Sequence, residues 1–196
     1  FEASNFTFLF APAYNPAIAH VQPVRKSLGV STLFNTMGPL LSPARPEFQI
    51  MGIAQPSMGP IIVETMKELG RSRALVVHGA GTDEVAVHGE TEVWELRDGE
   101  ITNYRISPSD LGVSTHALAD LRGGDGPENA RLMRATFASE GPQAHRDAVA
   151  VNAGAMFYLA GLNDSIRDGV ERALSMLGDR SVDTWLRTHE EADYRD

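Results

Sequence analysis

The sequence predicts an α/β fold with a mixed, mainly parallel sheet flanked by helices, and three observations predict it. "EFQIMGIA", "PSMGPIIVETMKELG" and "RALVVHG" follow one another as strand, helix and strand, a unit that favours a parallel pair with a right-handed crossover. "TEVWELRDGEITNYRI" alternates with period two around Asp98-Gly99, a strong hairpin signal. From residue 127 onward the pattern is helical.

Taken in order, "FTFLFA" is short, apolar and aromatic and reads as a buried strand. In "NPAIAHVQPVRKSLG", Asn15 suits an N-cap, Pro16 the first helical position and Gly29 the stop. Pro23 should kink that helix. "STLFNTMGPLLSPARP" is too rich in Gly and Pro for regular structure, yet apolar enough to pack in a crevice. The rhythm changes at residue 47, where the strand–helix–strand unit begins, with Gly70 closing its helix. Helices are expected from Pro127 to Ser139, His145 to Leu159, Ser165 to Leu177 and Val182 to Glu190, ahead of a charged, frayed tail "EEADYRD".

The 196 residues carry a net charge of −9 and 42% hydrophobic residues, enough for one substantial core. The acidic balance argues against nucleic acid or an anionic membrane as partner. No Cys is present, which excludes disulfides and thiolate metal sites. No apolar run approaches the roughly 20 residues that span a bilayer, and no basic-then-apolar stretch suggests a signal peptide. The expected compartment is the cytoplasm. The chain opens on Phe1 in mid-pattern and is expected to be a piece of a longer one.

Asp83 and Glu84 stand side by side in "VVHGAGTDEVAVHG", six residues past Val77 and beyond a Gly79–Gly81 turn. Neighbouring side chains on a strand point to opposite faces, whereas on an irregular loop both can converge on one hard cation. Ligands of open α/β sheets gather at the carboxyl ends of strands. An acidic surface turn is the other reading of the same residues. His78 and His88 flank the turn, so a transition-metal set with Asp83 and Glu84 is conceivable, against two hydrogen-bonded structural imidazoles. "GAG" lacks the third glycine of a dinucleotide fingerprint.

Arg25 and Lys26 either complement a helix C-terminus or, for Arg25, offer a planar fork to a carboxylate or phosphate. "RGGDGPENA" has the outline of a phosphate loop, but an acid there repels phosphate, and capping by Asp125 or Gly126 with Pro127 in the first turn is the simpler account. Asn152, in the small-residue helix "RDAVAVNAGAMFYLAG", reads as a buried hydrogen-bonding residue. No Ser–His–Asp arrangement has convincing local context.

Together, "FLFAPAYNPA", "PVRKSLGVSTLFNTMGPLLSPARP", "ALVVHGAGTDEV", "LRGGDGPENA" and "RDAVAVNAGAMFYLAG" occur in the order and spacing of the anthranilate phosphoribosyltransferases, and the chain closely resembles the C-terminal portion of that family. The resemblance implies transfer of phosphoribosyl from phosphoribosyl pyrophosphate to anthranilate with Mg2+, the second step of tryptophan biosynthesis. It implies a fold of the nucleoside phosphorylase/phosphoribosyltransferase type, with residues 1–45 a hinge and helical-domain segment and 46–196 the α/β domain. It also implies that Asp83 and Glu84 hold Mg2+, that Arg25 contacts the anthranilate carboxylate, and that Pro12, Asn15 and Pro39 line the anthranilate path. Asn15 departs from the histidine usual there. No residue of the chain is assigned a catalytic role. A homodimer through the N-terminal helical domain, and association or fusion with the glutamine amidotransferase of anthranilate synthase, belong to the same expectation. A pyrimidine nucleoside phosphorylase would have little need of the acidic pair, and a nucleic-acid-binding scaffold of this fold sits poorly with a charge of −9.

The family's Gly-rich pyrophosphate loop, its Asn/Ser/Thr segment and its Lys-His-Gly-Asn stretch lie upstream of these motifs and are not among the 196 residues. A polypeptide of these residues alone, assayed with both substrates and Mg2+ without a complementing N-terminal piece, is therefore expected to form no product. Robust turnover would contradict this.

Overall fold

The computed structural model describes residues 4–7, 9 and 38–190. The strand expected over "FTFLFA" is described only at residues 6, 7 and 9, none of which lies in a strand, and the helix expected from Asn15 to Gly29 falls outside the described residues, as does the tail beyond residue 190. Residues 1–46 and 47–196 form two compact units. In the first, a short helical turn covers residues 38–40.

The second unit is built on a four-stranded sheet in the order β1 (Phe48–Gly52), β2 (Arg73–Gly79), β3 (Thr91–Arg97) and β4 (Glu100–Ile106). β1 and β2 run parallel, with Gly52 opposite Val77. Between them a 3-10 turn (Pro56–Met58) leads into α1 (Gly59–Glu68), which gives the strand–helix–strand unit the sequence predicts. The sheet is mixed as expected, but it is not mainly parallel: among the described residues only β1–β2 is parallel, while β2–β3 and β3–β4 are antiparallel. The reason is connection length. A parallel return needs a crossover of a dozen or more residues, usually helical. Residues 80–90 contain no helix, and residues 98–99 form only a tight turn. Asp98 and Gly99 both take positive φ (52° and 79°), as a two-residue hairpin turn matching strand twist requires.

β2 is one of the two inner strands, and Ala74, Leu75, Val76 and Val77 are all buried, so both of its faces are covered. By strand alternation Ala74 and Val76, with Trp94 and Leu96 opposite them, face α1, whose Ile62, Val63 and Met66 are buried. Leu75, Val77 and Val93 point the other way, into a cluster with Val151 and Ala155 of α3 (Gln143–Leu159) and Val170, Ala173 and Leu177 of α4 (Ile166–Gly178). β4 is an edge strand and exposes Glu100, Thr102, Asn103 and Arg105, polar groups that discourage pairing with another sheet. Buried Glu95 ties the layers together by accepting from Tyr104 of β4 (2.8 Å) and Tyr158 of α3 (2.7 Å). Burial, with the Glu95 charge, pushes the Tyr104 hydroxyl well above the ordinary tyrosine range.

The remaining helices follow the predicted order. A 3-10 turn (Leu118–Leu121), not foreseen in the sequence, precedes α2 (Gly126–Phe137), and α5 (Ser181–Glu190) ends the described chain. Asp125 caps α2 by accepting from the Glu128 amide at 3.0 Å, as the capping account of "RGGDGPENA" requires. No helix among the described residues is long and apolar enough to cross a membrane.

α3 and α4 touch backbone to backbone. A Cβ at Gly154 would lie 2.5 Å from the Val170 nitrogen, and one at Gly169 2.3 Å from the Gly154 oxygen. Gly154→Ala is therefore expected to cost about 1–3 kcal/mol through overpacking. Gly178→Ala, with nothing within 4 Å of the added carbon, should be neutral or stabilising by up to about 1 kcal/mol. Urea unfolding followed by tryptophan fluorescence distinguishes the two, and equal midpoints would contradict the packing account.

Candidate metal-binding loop

Asp83 and Glu84 lie on the irregular segment 80–90 that leaves the carboxyl end of β2 and returns as β3. The segment starts with a reversal. Ala80 takes a left-handed backbone (φ 47°) and Gly81 follows at φ 94°. Gly79 and Thr82 exchange backbone hydrogen bonds of 2.9 Å each, and the Thr82 hydroxyl donates to the Gly79 carbonyl at 2.7 Å. The chain then folds over the end of β1. A Cβ on Gly52 would lie 1.6 Å from the Asp83 carbonyl oxygen, so only glycine fits at that position.

Beyond the acidic pair, the Val85 amide donates to Asn152 Oδ1 (3.0 Å), and Asn152 Nδ2 donates to the Val85 carbonyl (3.1 Å) and to the Ala148 carbonyl one turn earlier on α3 (2.9 Å). The Ala86 amide donates to the hydroxyl of Thr91, which is fully buried at the start of β3. The Val87 carbonyl accepts from the His116 amide (2.8 Å), and His116 Nε2 donates to Asp147 of α3 (2.7 Å). Val85, Ala86 and Val87 are buried, while Asp83 and Glu84 are exposed.

Glu84, Val85 and Ala86 line a cleft of ≈ 410 Å³ together with Leu118, Leu121 and Asn152. Partial burial raises the pKa of the Glu84 carboxyl above the ordinary glutamate value, and the Asp83 charge raises it further. No cation pairs with either carboxylate among the described residues.

The imidazoles beside the loop serve the backbone. His78 Nδ1 donates to the Ile53 carbonyl (2.8 Å) and His88 Nε2 to the Ala80 carbonyl (3.3 Å). Among the described residues no group of three or more His, Asp or Glu side chains is placed to hold a metal ion, so the conceivable set of His78, Asp83, Glu84 and His88 does not assemble. What remains is two neighbouring carboxylates open to solvent. That donor set suits a hard cation such as Mg2+, which keeps several waters and takes one or two carboxylates together with substrate phosphates. Of the other residues expected at a site, Pro39 is exposed in the first unit. Pro12, Asn15 and Arg25 lie outside the described residues.

Sequence reasoning missed the residues that fix the loop: Gly52, Thr91, His116 and the direct hold of Asn152 on Val85. The available signals were slight, namely a glycine closing an apolar strand and a lone amide in a helix of small residues.

The paired-carboxylate loop of this mixed α/β domain lies at the carboxyl ends of its parallel strands, the place where ligands of open α/β sheets gather. Residues 1–180 match the glycosyl transferase family, a/b domain, and the chain belongs to that family. It is 68% identical over 98% of its length to the anthranilate phosphoribosyltransferase of Corynebacterium aurimucosum, of which it covers 56%. Its structure is similar to that of the anthranilate phosphoribosyltransferase of Thermus thermophilus, with a TM-score of 0.87 and 40% identity over 95% of this chain and 55% of that one. The Saccharomyces cerevisiae enzyme solved in complex with phosphoribosyl pyrophosphate and Mg is similar at a TM-score of 0.79 and 26% identity, over 94% of this chain and 53% of that one. The chain spans about half the length of the curated relatives it matches.

In metal-free protein, ionising Glu84 costs folded-state stability as pH rises through its raised pKa, and the cost is absent below the ordinary carboxylate value. Glu84→Gln should therefore stabilise the apo protein at pH 7, by less than about 1 kcal/mol because the residue is largely solvated. The gain should disappear at about pH 4. Urea midpoints at the two pH values test this, and an equal shift at both would contradict it.

Proposed function

We propose that this chain supplies the α/β portion of an anthranilate phosphoribosyltransferase. The reaction joins the anthranilate amino nitrogen to C1 of the ribose of phosphoribosyl pyrophosphate, breaks the C1–oxygen bond to pyrophosphate and yields N-(5-phosphoribosyl)anthranilate. It is the second step of tryptophan biosynthesis. The observation that carries this reading is the pair Asp83–Glu84, exposed and without a cationic partner among the described residues. Family membership and the relatives above support it.

On this reading Asp83 and Glu84 hold Mg2+. The ion supplies neutralisation of the charge that builds on the departing pyrophosphate. The chain's own part is geometric: the loop keeps two like charges adjacent and open to solvent, a state a bound cation relieves. Arg25 would meet the anthranilate carboxylate with its planar fork, and Pro12, Asn15 and Pro39 would line that substrate's path. The full-length protein would act as a homodimer in the cytoplasm, and association or fusion with the glutamine amidotransferase of anthranilate synthase belongs to the same proposal.

The test is Asp83→Asn with Glu84→Gln in the full-length protein. Turnover at fixed Mg2+ should fall on the order of 10²-fold, with an unchanged circular dichroism spectrum. Retention of wild-type activity and of the wild-type Mg2+ dependence would refute the assignment.

A further inference from the structure

Asn152 makes three hydrogen bonds, and two of them go to the residue next to Glu84. Its orientation is fixed by these partners. Oδ1 faces an N–H and Nδ2 faces two carbonyls, so the reversed amide would set like groups against each other. Both Nδ2 hydrogens are spent on Val85 and Ala148, which leaves Asn152 no donor for a ligand although it lines the cleft. Its whole donor capacity holds main chain.

The loop between residues 80 and 90 has no helix or strand ladder to define it, so its shape depends on such holds. On the near side of the acidic pair, Thr82 is locked to Gly79. On the far side, Asn152 grips both the N–H and the C=O of Val85. Helix α3 reaches the loop a second time through Asp147, whose bond to His116 stands behind the His116 amide that donates to Val87. The pair is thus bracketed by one turn-internal lock and one helix-borne clamp. A carboxylate pair that binds a cation weakly by itself gains most from being held in register before binding.

We infer that Asn152 is a positioning residue for the acidic pair: by clamping Val85 to α3 it sets where the Glu84 carboxylate stands beside Asp83. The inference rests on the reading of Asp83 and Glu84 as cation ligands.

The experiment compares full-length wild type, Asn152→Ala, Asp83→Asn/Glu84→Gln, and Gly154→Ala as a destabilised control on the same helix away from the loop. Mn2+, used in place of Mg2+, is titrated in the presence of pyrophosphate by electron paramagnetic resonance. Amide exchange at Val85 is measured in metal-free protein. Asn152→Ala should speed Val85 exchange at least about 10-fold and weaken Mn2+ binding about 10–100-fold, with KM for anthranilate within about twofold. Gly154→Ala should lose stability without either effect. If Asn152→Ala folds poorly, Asn152→Leu keeps the volume and adds no charge while removing both the acceptor and the donors; it should likewise speed Val85 exchange and weaken Mn2+ binding. Unchanged Mn2+ affinity in both Asn152 variants, while the acidic-pair variant loses binding, overturns the role of Asn152 alone. Unchanged affinity in the acidic-pair variant overturns the cation reading and this inference with it.

Discussion

The Asp83 carbonyl oxygen occupies the space that any side chain at residue 52 would need. Much of the site follows from that contact. Gly52 closes β1, which is parallel to β2, so the contact brings the segment after β2 back across the ends of both parallel strands. Of the loop seated there, Asp83 and Glu84 stand outward in solvent, while Val85, Ala86 and Val87 are buried. The acidic pair stands at the carboxyl ends of the parallel strands because the return to β3 is too short to go anywhere else.

Holding two carboxylates on adjacent residues is unfavourable in itself, and the raised pKa of Glu84 reports the desolvation and repulsion involved. The fold confines this cost to a solvated rim. The neighbouring Val85, Ala86 and Val87 are buried, with their backbone groups committed to Asn152, Thr91 and His116. Hydrophobic anchoring below and open water above allow a strongly acidic turn to coexist with a dry core. His78 and His88, although close in sequence, do not join a metal set: each turns one ring nitrogen to a backbone carbonyl, His78 Nδ1 to Ile53 and His88 Nε2 to Ala80.

Features governed by neighbours in the chain were legible in the sequence. The Asp98–Gly99 turn, the helix stop at Gly70, the cap at Asp125 and the irregular course of residues 80–90 each depend on a few consecutive residues, and each is found as expected. The balance of the sheet was not legible. The strand–helix–strand unit announces a parallel pair, but the direction of β3 depends on where the short loop after β2 delivers the chain. Gly52 and Asn152 were illegible as loop supports because their partners, Asp83 and Val85, are distant in sequence and met only after folding. No periodicity marks a residue whose role is to leave room for a carbonyl.

The central claim is that Asp83 and Glu84 bind one divalent cation together. Anomalous diffraction from crystals of the full-length protein grown with Mn2+ and phosphoribosyl pyrophosphate tests it most directly. The account predicts a manganese peak about 2.1 Å from carboxylate oxygens of the pair, with the remaining ligands water and pyrophosphate oxygens. A fully occupied manganese site with both carboxylates outside its coordination sphere would contradict it.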